Sequence, residues 1–303
     1  MSERVPVVSV CLPVYNGEKF VGMALQSVLG QTLENIELII SDNASTDRTA
    51  EICQDAAARD RRVRYSRSQV NVGLARNHNR AFALARGEYA IWMGHDDEMT
   101  DTYLSRCVER LVLDPSAALC FSDSCDIDEQ SKALRTVRFE DVCSSPIASV
   151  RYSDTVRYES RNDMIYGVIR ANVLRQTHLH GAYYGSDWVL LAEIALRGHF
   201  CHIPDPLFCR RYHSSQSSKR GRFENVAIFD PQRVGKRNYP FFRLAAGFAV
   251  APFRAPVPLR ERCSSLRHFM HWCSRHRHYL REDVEVNARG VCDAVRSLKR
   301  RFV

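Results

Sequence analysis

Along the first 125 positions, short apolar runs alternate with amphipathic stretches. Val7-Val8-Ser9-Val10-Cys11-Leu12 is rich in β-branched residues, stops at Pro13, and predicts a buried strand. Lys19 to Leu29 follows helical spacing, with Phe20, Ala24, Leu25 and Val28 on one face. Ile36 to Ile40 predicts a second strand, and Thr46-Asp47-Arg48-Thr49 opens a helix with Ser45 or Thr46 as its N-cap. Val63 to Ser66 reads as a third strand, Leu74 to Ala85 as an alanine-rich helix closed by Gly87, and Glu88 to Met93 as a fourth strand. Tyr103 to Asp114 is helical up to Pro115, and Ala117 to Ser122 is strand again. Strands alternating with helices of this length imply an α/β fold with a mostly parallel central sheet and right-handed crossovers.

The pattern loosens after residue 125. Residues 126–165 are polar and read partly as loop. Asp187 to Arg197 is a helix with Trp188, Leu191, Ala192 and Ala195 on one face, and Phe200 to Pro204 reads as the last strand. Tyr239 to Phe253 is apolar and aromatic but too short to span a bilayer. Two amphipathic helices follow: one on Leu259, Cys263, Leu266, Met270 and Cys273, the other on Val284, Ala288, Val291, Val295, Leu298 and Phe302.

Composition narrows the class. The chain has 303 residues, 45% of them hydrophobic, enough for one large core with or without an appendage. Its 11 cysteines are scattered with no Cys-x-x-Cys pair, which predicts reduced thiols in a cytoplasmic protein. The first residues lack the basic start and apolar core of a signal peptide. The net charge of +8 is uneven: residues 206–303 hold 21 Lys+Arg against 7 Asp+Glu, leaving 22 against 28 in residues 1–205. A basic tail on an acidic body calls for an anionic partner. No helix-turn-helix, RNA-binding or zinc-finger pattern accompanies the charge, so nucleic acid is not expected. The interleaved aromatics suit an anionic membrane surface on the inner face, with a homodimer through the C-terminal helices as the other use of the tail.

Two acidic clusters at strand ends carry the candidate chemistry: Ser41-Asp42-Asn43-Ala44-Ser45-Thr46-Asp47 and Gly94-His95-Asp96-Asp97-Glu98. In an open α/β sheet, ligands bind beyond the carboxyl ends of the strands. Carboxylates there can accept nucleoside hydroxyls or hold a hard divalent cation. A dinucleotide-binding oxidoreductase would need Gly-x-Gly-x-x-Gly after the first strand, where this chain has Pro13-Val14-Tyr15-Asn16-Gly17.

Val8 to Gly17 with Ser27-Val28-Leu29-Gly30-Gln31-Thr32, Glu37 to Asp47, Asn71-Val72-Gly73-Leu74-Ala75-Arg76-Asn77, and Ala85-Arg86-Gly87-Glu88-Tyr89 closely resemble successive blocks of glycosyltransferase family 2, which has the GT-A fold. The resemblance implies an inverting glycosyltransferase domain over residues 1–225. Its nucleotide-sugar half would cover about 1–125 and its acceptor half about 126–225, with a basic helical extension over 226–303. Carried over residue by residue, it implies that Pro13, Tyr15 and Glu18 edge the uracil and ribose pocket. Asp42, with Asn43 beside it, would meet the base; Arg76 would meet the base or the phosphates. Asp96 would face the ribose, and Asp97 would ligate Mn²⁺ or Mg²⁺, with His213 reaching the metal or diphosphate. Asp187 would be the catalytic base, although Ser186 stands where relatives carry glutamate and Gly94 where many carry a further aspartate. The donor implied is a nucleotide-sugar, most simply a UDP-sugar, and the acceptor a glycan or lipid-linked glycan. Two plainer readings stand beside these: Asp187 as a helix cap, and the whole chain as a degenerate binder of sugar nucleotides or of a partner.

Overall fold

The computed structural model describes residues 5–140, 142–157, 162–214, 216 and 226–288. The four predicted N-terminal strands form as β1 (Val8–Val14), β2 (Ile36–Asp42), β3 (Val63–Arg67) and β4 (Tyr89–Trp92). They lie parallel in the order β3-β2-β1-β4. Between them run α1 (Val21–Leu29), α2 (Thr49–Arg59) and α3 (Leu74–Ala83), with α4 (Tyr103–Leu113) following β4. Alternating side chains serve the two faces of the sheet. Val8, Val10, Leu12, Leu38, Ile40 and Ile91 pack with α1 and α4, while Cys11, Ile39, Ala90 and Trp92 pack with α3. Burying each large aliphatic side chain contributes about 1.5–3 kcal/mol, so a sheet covered on both faces is strongly held.

The second half of the sheet is mixed. β5 (Glu98–Met99), β6 (Ala117–Ile127), β7 (Ala133–Val137), β8 (Val168–Arg170) and β9 (His199–Arg211) extend the order as β4-β8-β6-β9-β5, with β7 on β6. β8 is antiparallel to both β4 and β6, whereas β6 and β9 run parallel. The segment 126–165, expected to be polar and partly loop, holds the end of β6, all of β7, and α5 (Ala148–Arg157). β6 runs past Ser122 because its polar residues are buried and paired. Asp123 accepts from Phe139 N at 2.9 Å, and Ser124 Oγ donates to Asp163 at 2.8 Å. β9 runs past Pro204 because the register with β6 shifts around Asp123, and an irregularity there tolerates a residue that cannot donate.

The α2 start differs from expectation. The helix begins at Thr49 with Arg48 as N-cap, and no side chain caps it. Ser45 and Thr46 are engaged elsewhere: Ser45 Oγ accepts from Asn16 N and Thr46 N donates to Asn16 Oδ1.

Beyond α6 (Ala171–Leu174) and α7 (Ser186–Ala195), the tail forms α8 (Val226–Phe229), α9 (Pro240–Arg254), α10 (Leu259–Arg275) and a helical stretch over 277–288. Phe241, Leu244, Phe248 and Trp272 join Tyr152 of α5 and Val189 of α7 in a third buried cluster. Of the last predicted amphipathic face, Val291, Val295, Leu298 and Phe302 lie outside the described residues. Ten cysteines fall among the described residues and all are free thiols, six of them buried.

Candidate active site

The loop after β1 is zipped to the loop after β2. Asn16, at φ 51°, donates from its backbone N to Ser45 Oγ at 3.0 Å, Gly17 N donates to Thr49 Oγ1 at 2.8 Å, and Glu18 N donates to Asp47 at 3.1 Å. The Glu18 carboxylate in turn accepts from Arg48 N at 2.9 Å, an anion at the N-terminus of α2. A Cβ at Gly17 would lie 2.4 Å from His95 Cδ2 and 2.8 Å from Val14 Cγ2, so glycine lets the loop after β1 touch the loop after β4. Pro13 pairs with Ser41 inside the sheet, and Tyr15 is 44% exposed at its edge.

Asp42 is fully buried. One oxygen accepts from Ser45 N at 2.9 Å; the other meets Tyr65 OH at 2.7 Å and Arg67 Nε at 3.2 Å. Asn43 bonds Asn71 Oδ1 at 2.8 Å through its amide nitrogen and accepts from Val72 N at 2.9 Å, fastening this loop to the start of α3. Both residues expected at the base are therefore engaged with protein. Arg76, expected to meet the donor, lies 3.3 Å from Asp230 of the tail, which also pairs with Arg233 at 3.6 Å. The segment around Asp230 sits against Gly73, where a Cβ would come within 2.5 Å of Phe229 O.

The second acidic cluster follows β4. Asp97 is 4% exposed, and its Oδ1 accepts from Arg211 N at 3.0 Å. Asp96 Oδ2 meets His213 Nε2 at 2.9 Å. The remaining oxygens pack against Gly94: a Cβ there would sit 2.6 Å from Asp97 Oδ2 and 2.9 Å from Asp96 Oδ1. Burial and the neighbouring Asp96 charge push the Asp97 carboxyl well up. Burial would do the same to Asp96, but the His213 bond and the charges of His95 and His213 outweigh it and hold that group at about 2. The Arg211 guanidinium does not neutralise the pair; it bonds Asp96 O at 2.8 Å, Asp128 O at 2.6 Å, and Glu98. β5 pairs Glu98 with Cys209 of β9 and so pins the acidic turn to the strand that delivers Arg210, Arg211 and His213.

Asp187 lies in the first turn of α7, one residue past its start, and Gly185 at φ +79° is the N-cap. Asp187 is not the N-cap residue, but its carboxylate accepts from the first-turn amides of Asp187 and Trp188. Asn162 Nδ2 donates to Asp187 Oδ2 at 2.8 Å, yet burial still raises the carboxyl above its ordinary range. Arg210 links the two carboxylate groups: it pairs with Asp163 at 3.0 Å, and its charge acts on both Asp97 and Asp187. Asn162, Tyr65 and Asp230 carry no site signal in the sequence, because only tertiary contacts relate them to the acidic clusters and to Arg76.

Asp97 and His213, the expected metal ligands, do not converge with Asp96 into one three-ligand set. Among the described residues, the one such set joins Asp114, His199 and Cys201 at the start of β9. His199 Nε2 there already meets Asp114 at 2.8 Å, which accounts for the grouping as an ion pair.

Residues 9–174 match the family model for glycosyl transferase family 2. The chain belongs to that family and carries a glycosyltransferase domain. Among curated relatives, it is 33% identical over 132 residues to a chondroitin synthase of Escherichia coli, covering 44% of this chain and 19% of that one. It is 24% identical over 221 residues to an uncharacterized glycosyltransferase of Haemophilus influenzae, covering 71% and 68%. It thus spans about a fifth of the synthase. The fold is GT-A type. TarS 1–349 of S. aureus in complex with UDP-GlcNAc superposes with a TM-score of 0.65 at 16% identity, over 89% of this chain and 72% of that one. The mannosyltransferase PcManGT of Pyrobaculum calidifontis, in complex with GDP-Man and Mn²⁺, gives 0.52 at 17%, over 99% and 84%. At such identities the likeness is one of fold.

Proposed function

We propose that this chain transfers a sugar from a nucleoside-diphosphate donor, a UDP-sugar, to a hydroxyl of a glycan or lipid-linked glycan, inverting the anomeric configuration. The observation that carries the reading is the Asp96-Asp97 pair, adjacent carboxylates just past the end of β4, each with one oxygen packed against Gly94. Two adjacent carboxylates, one of them raised by burial and by its neighbour's charge, fit a divalent cation. Asp97 and Asp96 would hold Mn²⁺ or Mg²⁺. His213, whose Nε2 meets Asp96 Oδ2, would orient that carboxylate. The ion, when bound, offsets charge on the leaving diphosphate. Gly94 then reads as the residue that gives both carboxylates room, not as a lost ligand.

The chain's own groups supply the rest. Pro13, Tyr15 and the zipped loops with Glu18, Asp42 and Asn43 shape the nucleoside edge, and Arg76 contributes a cation once Asp230 releases it. Asp187, raised by burial and positioned by Asn162, takes the proton from the attacking hydroxyl. One base and a single displacement invert the sugar. The experiment is a thermal-shift panel of UDP, UDP-sugars, dTDP-sugars and GDP-mannose with and without Mn²⁺. Saturating ligand at 100 times its Kd stabilises by about 2.7 kcal/mol. A panel with no Mn²⁺-dependent shift overturns the reading.

We also place the tail on anionic lipid at the inner membrane face. Phe242, Val250 and Phe253 of α9 are exposed, as are Leu259 and Met270 of α10, beside an outward Arg260. No helix among the described residues is long and apolar enough to cross a membrane.

A further inference from the structure

The stretch from Val226 to Arg233, made of α8 and the 3-10 turn Pro231–Arg233, lies across the start of α3. Gly73, at φ +88°, is its seat: a Cβ there would lie 2.5 Å from Phe229 O and 2.8 Å from Pro231 Cδ. The same glycine opens the helix that carries Arg76. The loop in front of that helix belongs to the nucleoside edge, because Val72 N donates to Asn43 Oδ1 at 2.9 Å. On its other side the stretch packs on the body again, where the Phe229 ring meets Tyr184 edge to face at 6.3 Å. Its backbone closes on itself as well: Asp230 N donates to Val226 O at 2.8 Å, and Arg233 N donates to Asp230 O at 2.9 Å. Packing and backbone bonds therefore fix where Asp230 stands, independently of what its carboxylate meets.

That carboxylate is buried and shared between two guanidinium groups. One oxygen lies 3.3 Å from Arg76 Nη1, and the other lies 3.6 Å from Arg233 Nε. Both contacts are longer than the roughly 2.7–2.9 Å of a tight charge-assisted bond. A third guanidinium is close by. Arg243 donates to Ala182 O at 2.9 Å and lies over the Tyr183 ring at 5.1 Å. Burial, then the Arg233 charge, hold it below the ordinary arginine range; Asp230 opposes that fall and Arg76 adds to it. Three cations thus surround one carboxylate, and Asp230 by itself cannot balance them.

A second anion can therefore enter this group on favourable terms. The Arg76 side chain is 44% exposed, so an anion arriving from solvent can reach it. A diphosphate brings more charge than one carboxylate, and its oxygens suit the planar fork of a guanidinium. Asp230 can give up Arg76 without being left as a buried unpaired charge, since Arg233 remains beside it.

We propose that Asp230 competes with the donor's diphosphate for Arg76: it holds this arginine until the diphosphate takes its place, and then stays with Arg233. The inference rests on Arg76 meeting the donor's phosphates, as proposed above. The test is calorimetry of UDP with Mn²⁺ on the full chain. Asp230→Asn keeps the shape and removes the charge. It should tighten UDP binding by about two- to fivefold, the scale of a partly exposed ion pair. Asp230→Ser is a second neutral variant and should show the same gain, with thermal unfolding as the check that each variant is folded. Arg76→Gln should weaken UDP binding, and adding Asp230→Asn to it should change nothing further, because the contested cation is gone. Folded neutral variants that bind UDP no tighter than wild type overturn the inference. Weaker binding overturns it as well, since Asp230 would then be bracing Arg76 for the donor. A gain that persists in the Arg76→Gln background, or Arg76→Gln binding UDP as wild type does, also overturns it, because Arg76 would not be the contested group. Wild-type protein with no Mn²⁺-dependent UDP binding would instead overturn the donor chemistry on which the inference rests.

Discussion

Asp187 and Asp97 are both carboxylates raised by burial, yet their neighbours assign them different work. Asp187 has an uncharged partner in Asn162, so its basicity stays available. Replacing it with asparagine keeps the shape and an acceptor for Asn162 while removing the base. Asp187→Asn should lower kcat by about 10²-fold or more, with donor affinity retained. The same change should stabilise the fold. Because the folded pKa is raised, the wild-type carboxyl carries its full penalty above that pKa, and the penalty shrinks below it and vanishes beneath the ordinary carboxylate range. The variant's Tm should therefore exceed wild type at pH 8, with the gap closing as pH falls through the raised pKa. An equal or lower Tm at pH 8 would show that the carboxylate is not desolvated. Asp97→Ala should abolish both transfer and Mn²⁺-dependent nucleotide binding, and chelation by EDTA should do the same reversibly. Gly94→Asp offers a sharper check. Adding the carboxylate that many relatives carry should weaken Mn²⁺ dependence, because its Cβ displaces Asp97 Oδ2 from 2.6 Å away. Tighter metal binding in Gly94→Asp would refute the geometric reading.

The first four strands and the helices around them follow their sequence patterns because one face of each element is continuously apolar, and burial of that face dominates. β6, β8 and β9 do not announce themselves so plainly. The polar stretch Ser122 to Asp126 resembles loop until its partners are known, and Pro204 resembles a strand end until the irregular pairing with β6 accommodates it. β8 is three residues long, too short for any periodicity. The tail shows the opposite case. Its aromatics, read from sequence as an interfacial set, divide in space: Phe241, Phe248 and Trp272 face inward, and Phe242 and Phe253 face out. Phe248→Ala should cost about 3–5 kcal/mol, measured by denaturant unfolding, because the ring fills the junction of α5, α7, α9 and α10. A cost below about 1 kcal/mol would mean that α9 packs loosely on the body.

Charge is a property of the whole chain. With 21 Lys+Arg against 7 Asp+Glu, residues 206–303 oppose an acidic remainder, and the exposed apolar residues of α9 and α10 lie in that basic part. Full-length protein should co-sediment with anionic but not neutral liposomes. High salt should release it, since exposed charges are screened beyond about 8–10 Å at physiological ionic strength. Binding that survives high salt would point to apolar insertion alone. No binding at low salt, together with a dimer in solution, would assign the exposed face of α9 to a second copy.

What the sequence determined by itself was the parallel core, the family blocks within residues 9–174, and the two strand-end acidic clusters. These are local: a run of β-branched residues, a turn and a pair of adjacent carboxylates are legible wherever they fall. Tertiary structure alone decided which partner each of those groups meets. Arg211, from 114 residues further along, supplies the amide that holds Asp97. Asn162 holds Asp187 across 25 residues, and Asp230 holds Arg76 across 154. Hydrogen bonds, desolvation and cavity shape depend on distances of a few ångströms between residues far apart in the chain, and no local pattern encodes such distances.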